Sequence, residues 1–185
     1  MEAALDDAPI RRTGSRVVYA SPWMTVREDD IEYADGTTSV FGVVAKKDFA
    51  LVLPRADGGF WLVNQYRYPI QRRAWEFPQG GWPAGHDGTP ADLARAELAE
   101  ETGLTAGRLT HLGRLNEAHG FCTQAFDVFL AEDLVEGAPA REATESDMVH
   151  AFVTDAELNR MIREGQIGDG PTLAALTLYR LHTTN

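Results

Sequence analysis

The sequence predicts an α+β fold: a mixed β-sheet flanked by helices, preceded by an antiparallel β extension. Three observations carry this. The first third is dominated by short β-branched and aromatic runs broken by Asp-Gly turns. The first helix with clear start and stop residues begins near Thr89. Strand-like runs then return, at about Leu112 to Leu130 and at Val149 to Val153, so strands and helices alternate in the second half.

Taken in order, the first dozen residues read as a frayed arm, and the chain divides into an arm over 1–15, a β extension over 16–47 and a main domain over 48–185. Within the extension, Arg16-Val-Val-Tyr19, Met24-Thr-Val-Arg27 and Ile31-Glu-Tyr33 are strand-like. The turn Ala34-Asp35-Gly36 then leads into the β-branched run Thr37 to Val44. A hairpin follows, Phe49 to Leu53 and Phe60 to Asn64, around Ala56-Asp57-Gly58-Gly59. The first helix starts with Thr89 as N-cap, Pro90 at N1 and Asp92 at the positive end, and stops at Gly103. A second runs from about Asp155 to Glu164, with Thr154 and Glu157 spaced as a capping box and Gly165 closing it. A third starts at Pro171 and turns Leu173, Leu176 and Leu178 toward a core.

Composition narrows the function. At 185 residues the chain is one globular domain, or a small one with an extension. Seventeen basic and twenty-eight acidic side chains leave a net charge of −11, which disfavours nucleic-acid and anionic-membrane partners. No apolar run reaches the ~18 residues of a membrane span. Met1 to Arg16 has no secretory h-region, so the expectation is a soluble cytoplasmic protein. The lone Cys122 builds neither an intrachain disulfide nor a Cys-rich zinc site. The five histidines are scattered without metal-ligand spacing.

Glu97, Glu100 and Glu101 carry the chemistry. At about 100° per residue they project near 0°, 300° and 40°, forming one acidic stripe beside the apolar face of Ala91, Ala94 and Leu98. Like charges so spaced repel, and a divalent cation removes the penalty. Hard oxygen ligands suit Mg²⁺ or Mn²⁺ shared with a substrate phosphate. A solvated helix face has the same pattern.

The loop Gly80-Gly-Trp-Pro-Ala-Gly85 and the stretch Ala94-Arg-Ala-Glu-Leu-Ala-Glu-Glu-Thr-Gly-Leu104 together resemble the Nudix box, G-x5-E-x7-R-E-U-x-E-E-x-G-U, with U aliphatic. Glu97, Leu98, Glu100, Glu101, Gly103 and Leu104 fall in place. Gly81 and Asp87 fit the first half with one inserted loop residue, and Ala96 stands where the pattern has Arg. Arg95 beside it projects about 140° away from Glu100 and cannot substitute. The resemblance implies the Nudix α/β/α sandwich and a metal-dependent hydrolase.

Within the family, Asn64-Gln-Tyr-Arg-Tyr-Pro69 followed by Trp75-Glu-Phe-Pro-Gln-Gly80 resembles the ADP-ribose pyrophosphatase branch. That likeness implies Arg67 as the diphosphate-binding arginine, whose planar fork suits phosphate oxygens. It implies Glu76 in contact with ligand or arginine, and a metal ligand at the backbone carbonyl of Gln79. Trp23 and Phe41 resemble the aromatic pair that clamps adenine, a stack worth ~1–3 kcal/mol per face; ordinary strand packing is the alternative. Arg72 and Arg73 would add to the local positive field that an anionic substrate needs here. Glu145, 44 residues beyond Glu101, resembles the carboxylate that orients the attacking water, with Glu100 assisting and Asp147 as a further metal ligand. An acidic loop that is only solvated is the alternative there.

The implied reaction cleaves the diphosphate link of a nucleoside diphosphate sugar, ADP-ribose giving AMP and ribose 5-phosphate. Dinucleoside polyphosphates, GDP-sugars such as GDP-mannose, and a non-catalytic nucleotide sensor remain open. The strand-rich extension implies a homodimer.

Overall fold

The structure, a computed structural model, describes residues 8–83, 85–141 and 147–184. The chain forms two compact units, one built from the residues up to Lys47 together with Asn116–Gln124, the other from Asp48–Leu115 and the residues from Ala125 onward.

The first unit is an antiparallel meander, β1 (Ile10–Ala20), β2 (Thr25–Tyr33) and β3 (Thr38–Ala45), in the order β1-β2-β3. β1 begins at Ile10, inside the stretch read as an arm. Its side chains are exposed at nearly every position, so it lacks the period-two apolar signal that marks a strand in sequence. Cross-strand charges take that role: Arg11 pairs with Glu32 at 3.1 Å and Arg16 with Glu28. The 116–124 segment lies along β3, where Val44 N–H donates to the Phe121 carbonyl (2.8 Å) and Thr123 N–H to the Val44 carbonyl (2.9 Å).

The second unit is a seven-stranded mixed sheet. Its path runs β10 (Val149–Thr154), β5 (Gly59–Arg67), β4 (Phe49–Ala56), β9 (Ala125–Val135) and β8 (Thr105–Asn116). β6 (Arg72–Glu76) is added on β5, and the two-residue β7 (Gln79–Gly80) on β4. β4 and β9 are parallel; β4–β5, β5–β6 and β5–β10 are antiparallel. The hairpin forms as expected, with Arg55 opposite Phe60 and Gly58 at φ +76° in the turn. β8 begins at Thr105, directly after the first helix and earlier than the sequence indicates. Its first half carries Gly107 and alternates only weakly.

Among the described residues three α-helices cover the sheet: α1 (Pro90–Thr102), α2 (Asp155–Arg163) and α3 (Gly170–Thr183). Central strand β4 alternates between two cores. Leu51 and Leu53 pack with Leu158 and Met161 of α2 and Leu176 of α3. Ala50 and Val52 pack with Leu93, Ala94 and Leu98 of α1. Each fully buried aliphatic contributes roughly 1.5–3 kcal/mol relative to exposure. This is the expected sandwich, and among the described residues no helix is long and apolar enough to cross a membrane.

The caps place the helices. Thr89 Oγ1 accepts from Asp92 N–H (3.1 Å) while Asp92 accepts from Thr89 N–H (3.1 Å), a complete capping box, and Gly103 ends α1 at φ +77°. At α2 only half of the expected box is made. Thr154 accepts from Glu157 N–H, but the Glu157 carboxylate is engaged by Arg160. α3 starts one residue earlier than expected because Asp169 caps it, accepting from Thr172 N–H at 2.9 Å.

Candidate active site

The site is assembled on the α1 face of the sheet, where the alternation of β5 and β6 decides which side chains meet. In the β5–β6 register Val63 opposes Glu76, Gln65 opposes Ala74 and Arg67 opposes Arg72, so Gln65, Arg67 and Glu76 share one face. Glu76 is 1% exposed and satisfied by its neighbours. Arg67 Nη2 reaches its Oε1 at 2.7 Å and Arg67 Nε donates to Oε2 at 3.2 Å, a forked pair. Gln65 Nε2 donates to Oε1 at 2.7 Å. Burial pushes the Glu76 carboxyl up from its ordinary range, and the Arg67 guanidinium pulls in the opposite direction.

Residues Phe77 to Gly80 carry this cluster to the carboxylate helix. Val52 N–H donates to the Pro78 carbonyl, and Phe77 N–H donates to Thr172 Oγ1 in α3. Gln79 then touches three carboxylates. Its backbone N–H donates to Glu101 Oε2 (3.2 Å), and its side-chain Nε2 lies 3.4 Å from Glu76 Oε2 and 3.2 Å from Asp169 Oδ2. Its Oε1 is buried and has no hydrogen-bond partner among the described residues. At Gly80 a Cβ would lie 2.5–2.6 Å from the Glu97 carboxylate atoms, so glycine is what lets that carboxylate lie against the strand.

Glu97 and Glu100 line one cavity of about 220 Å³ with Gly80, Gly81, Trp82, His86 and Ala96. Glu101 is 1% exposed, which a merely solvated helix stripe does not explain. Among the described residues no group of three or more His, Cys, Asp or Glu side chains is arranged to hold a metal ion. An open, oxygen-only set on a rigid helix nonetheless fits a hard divalent cation, which keeps waters and takes one or two carboxylates plus substrate phosphate. Arg95 donates to the Ala106 carbonyl at 2.9 Å, so it is turned away from the glutamates, as its helical phase requires.

Not every expected residue that the structure describes faces the α1 carboxylates. Arg73 lies on the face of β6 opposite Glu76 and is held by Asn64 (Nε to Oδ1, 2.6 Å) and Asp147 (Nη1 to Oδ2, 2.6 Å). Strand alternation thus separates Arg73 from Arg67, and Asp147 meets a guanidinium rather than the α1 carboxylates. Arg72 Nη2 comes beside Gly168. Glu145 lies outside the described residues. Trp23, in the β1–β2 turn, and Phe41, on β3, are 79% and 40% exposed, so neither ring is packed away. Both belong to the first unit.

Sequence reasoning missed Gln65, Asp169 and the Gly80–Glu97 approach. Asp169 is legible as a cap, standing three residues before Thr172 and two before Pro171, but its contact with a residue 90 positions away is not.

Comparison with known proteins agrees with this geometry. Residues 10–44 match the nucleoside diphosphate sugar hydrolase N-terminal domain, and residues 45–176 match the NUDIX domain. An ADP-ribose pyrophosphatase of Bacillus subtilis (strain 168) is 31% identical over 166 residues, 89% of each chain. One from Mycobacterium tuberculosis (strain ATCC 25618 / H37Rv) is 32% identical over 178 residues, 92% of this chain and 83% of its own. A crystal structure of an ADP compounds hydrolase superposes with a TM-score of 0.82 at 19% identity, covering 95% of this chain and 94% of its own, and so shares the fold. The carboxylate helix therefore sits in the family to which its spacing pointed, and the chain belongs to the Nudix pyrophosphohydrolases.

Proposed function

We propose that this enzyme hydrolyses the diphosphate link of ADP-ribose, releasing AMP and ribose 5-phosphate, with Mg²⁺ or Mn²⁺ held by Glu97, Glu100, Glu101 and the Gln79 carbonyl. The observation that carries the reading is Gln79, which bridges the Arg67–Glu76 pair and the buried Glu101. It joins a phosphate-recognising group to a carboxylate helix through one residue.

Bound there, the cation would supply Lewis-acid stabilisation of phosphoryl charge and acidify the attacking water. The protein's own groups do the rest. Glu76 fixes the Arg67 fork, leaving Nη1 outside the pair to engage a diphosphate oxygen. Glu145, assigned by sequence position, takes the water proton as the new P–O bond forms and the bridging P–O bond breaks. Glu100, lining the cavity, assists in holding the water. Local cations matter because the chain's net charge of −11 repels a diphosphate at long range. The β extension over 16–47 supplies an adenine clamp through Trp23 and Phe41, and a homodimer contact.

Product analysis tests this. Purified protein with ADP-ribose and Mg²⁺ should release AMP, and Glu101→Gln should abolish turnover while leaving the fold intact. Faster turnover of GDP-mannose or a dinucleoside polyphosphate in the same panel would move the substrate assignment. Binding without turnover of any member would mark a nucleotide sensor, the reading favoured by Ala96 and by the diversion of Arg95 to Ala106.

A further inference from the structure

The C-terminal end of α1 leaves carbonyls with no intrahelical partner, and two of them belong to Glu100 and Glu101. Consecutive residues from a distant part of the chain satisfy both. Ala140 N–H donates to the Glu100 carbonyl at 3.0 Å, and Arg141 Nε donates to the Glu101 carbonyl at 3.0 Å. The rest of the Arg141 fork is spent on the start of β10. Nη1 donates to the Met148 carbonyl at 2.7 Å, and Nη2 donates to His150 Nδ1 at 2.6 Å. Burial first, and the guanidinium beside it second, push His150 below its ordinary value, which keeps Nδ1 an acceptor. The fork is planar and all three of its nitrogens are engaged, so it fixes direction as well as distance. Its charge also complements the negative end of the α1 dipole.

What Arg141 grips is not a loose strand. His150 is paired with Val63 on β5, and Val63 in turn opposes Glu76 on β6. The helix end is shaped for the approach as well. A Cβ on Gly103 would lie 2.4 Å from the Gly137 carbonyl, so the 137–141 stretch runs tight against the cap.

We propose that Arg141 is a positioning residue for the metal site. It locks the last turn of α1 to the first residues of β10 and so sets the direction in which the Glu100 and Glu101 carboxylates leave the helix. The proposal rests on the reading of α1 as the metal-holding helix.

The test is Mn²⁺ binding by electron paramagnetic resonance, without substrate, on the wild-type chain, R141Q and R141K. Amide hydrogen exchange over residues 100–104 is measured on the same proteins. R141Q should weaken Mn²⁺ binding roughly tenfold, the usual effect of losing an outer-shell partner. R141K, which keeps the charge and part of the donor set, should recover some of that loss and carries the test if R141Q does not fold. T89A loosens the opposite end of α1 and should leave Mn²⁺ affinity unchanged, separating positioning from general helix stability. Wild-type affinity in R141Q, or a T89A loss as large, overturns the proposal. If the wild-type chain binds no Mn²⁺, the metal reading falls instead. Exchange then decides whether the lock exists: faster exchange over 100–104 in R141Q supports it, and unchanged exchange refutes it.

Discussion

A methyl group on Gly80 would meet the Glu97 carboxylate at 2.5–2.6 Å, and that carboxylate is the far end of a flexible side chain. The conflict is relieved by moving Glu97, not the backbone. Gly80→Ala is therefore expected to change stability by less than about 1 kcal/mol and to raise the Mg²⁺ concentration for half-maximal activity roughly tenfold. Thermal melting beside a Mg²⁺ titration of AMP release checks both, and a large fall in melting temperature would refute the account. Residue type and spacing made Glu97, Glu100 and Glu101 legible as a group, because helical phase is local. They could not show that Glu101 is buried against Gln79 N–H, or that Arg73 and Arg67 leave opposite faces of the hairpin.

At the scale of elements, α1 is the part most completely written in its own residues. Thr89, Pro90 and Asp92 start it and Gly103 stops it, each acting within one turn. Thr89→Ala removes the bond from Asp92 N–H to the hydroxyl and the one the hydroxyl donates to Asp92 Oδ2 (2.6 Å), and should cost about 1 kcal/mol, read from chemical denaturation. A change within a few tenths of a kcal/mol would show that Asp92 caps the helix alone. β1 is the contrasting case. It is held by ion pairs and ladder bonds to β2 rather than by a buried face, so hydrophobic periodicity gave no sign of its first six residues. The start of β8 was hidden for a related reason, since its alternation is weak and its pairing with β9 defines it.

Over the whole molecule, the first unit leaves Val17, Val18, Tyr19, Trp23, Val40 and Phe41 between 40% and 79% exposed. Exposed apolar side chains of this kind are what the homodimer proposed above would cover. Sedimentation velocity at micromolar concentration should show a dimer, and Val18→Asp should shift it toward monomer; a monomeric wild-type chain refutes the assignment. The sequence alone determined the three helices, both ends of α1, the Thr154 cap of α2, the hairpin at Asp57-Gly58, the mixed α+β class and the carboxylate stripe. Each of these depends on residues within a turn or two of one another. Only the tertiary structure decided that Gln79 meets Asp169 across 90 residues and that Arg141 meets Glu101 across 40. Such contacts follow from strand register and from the packing of α1 and α3 on the sheet, which no local pattern encodes.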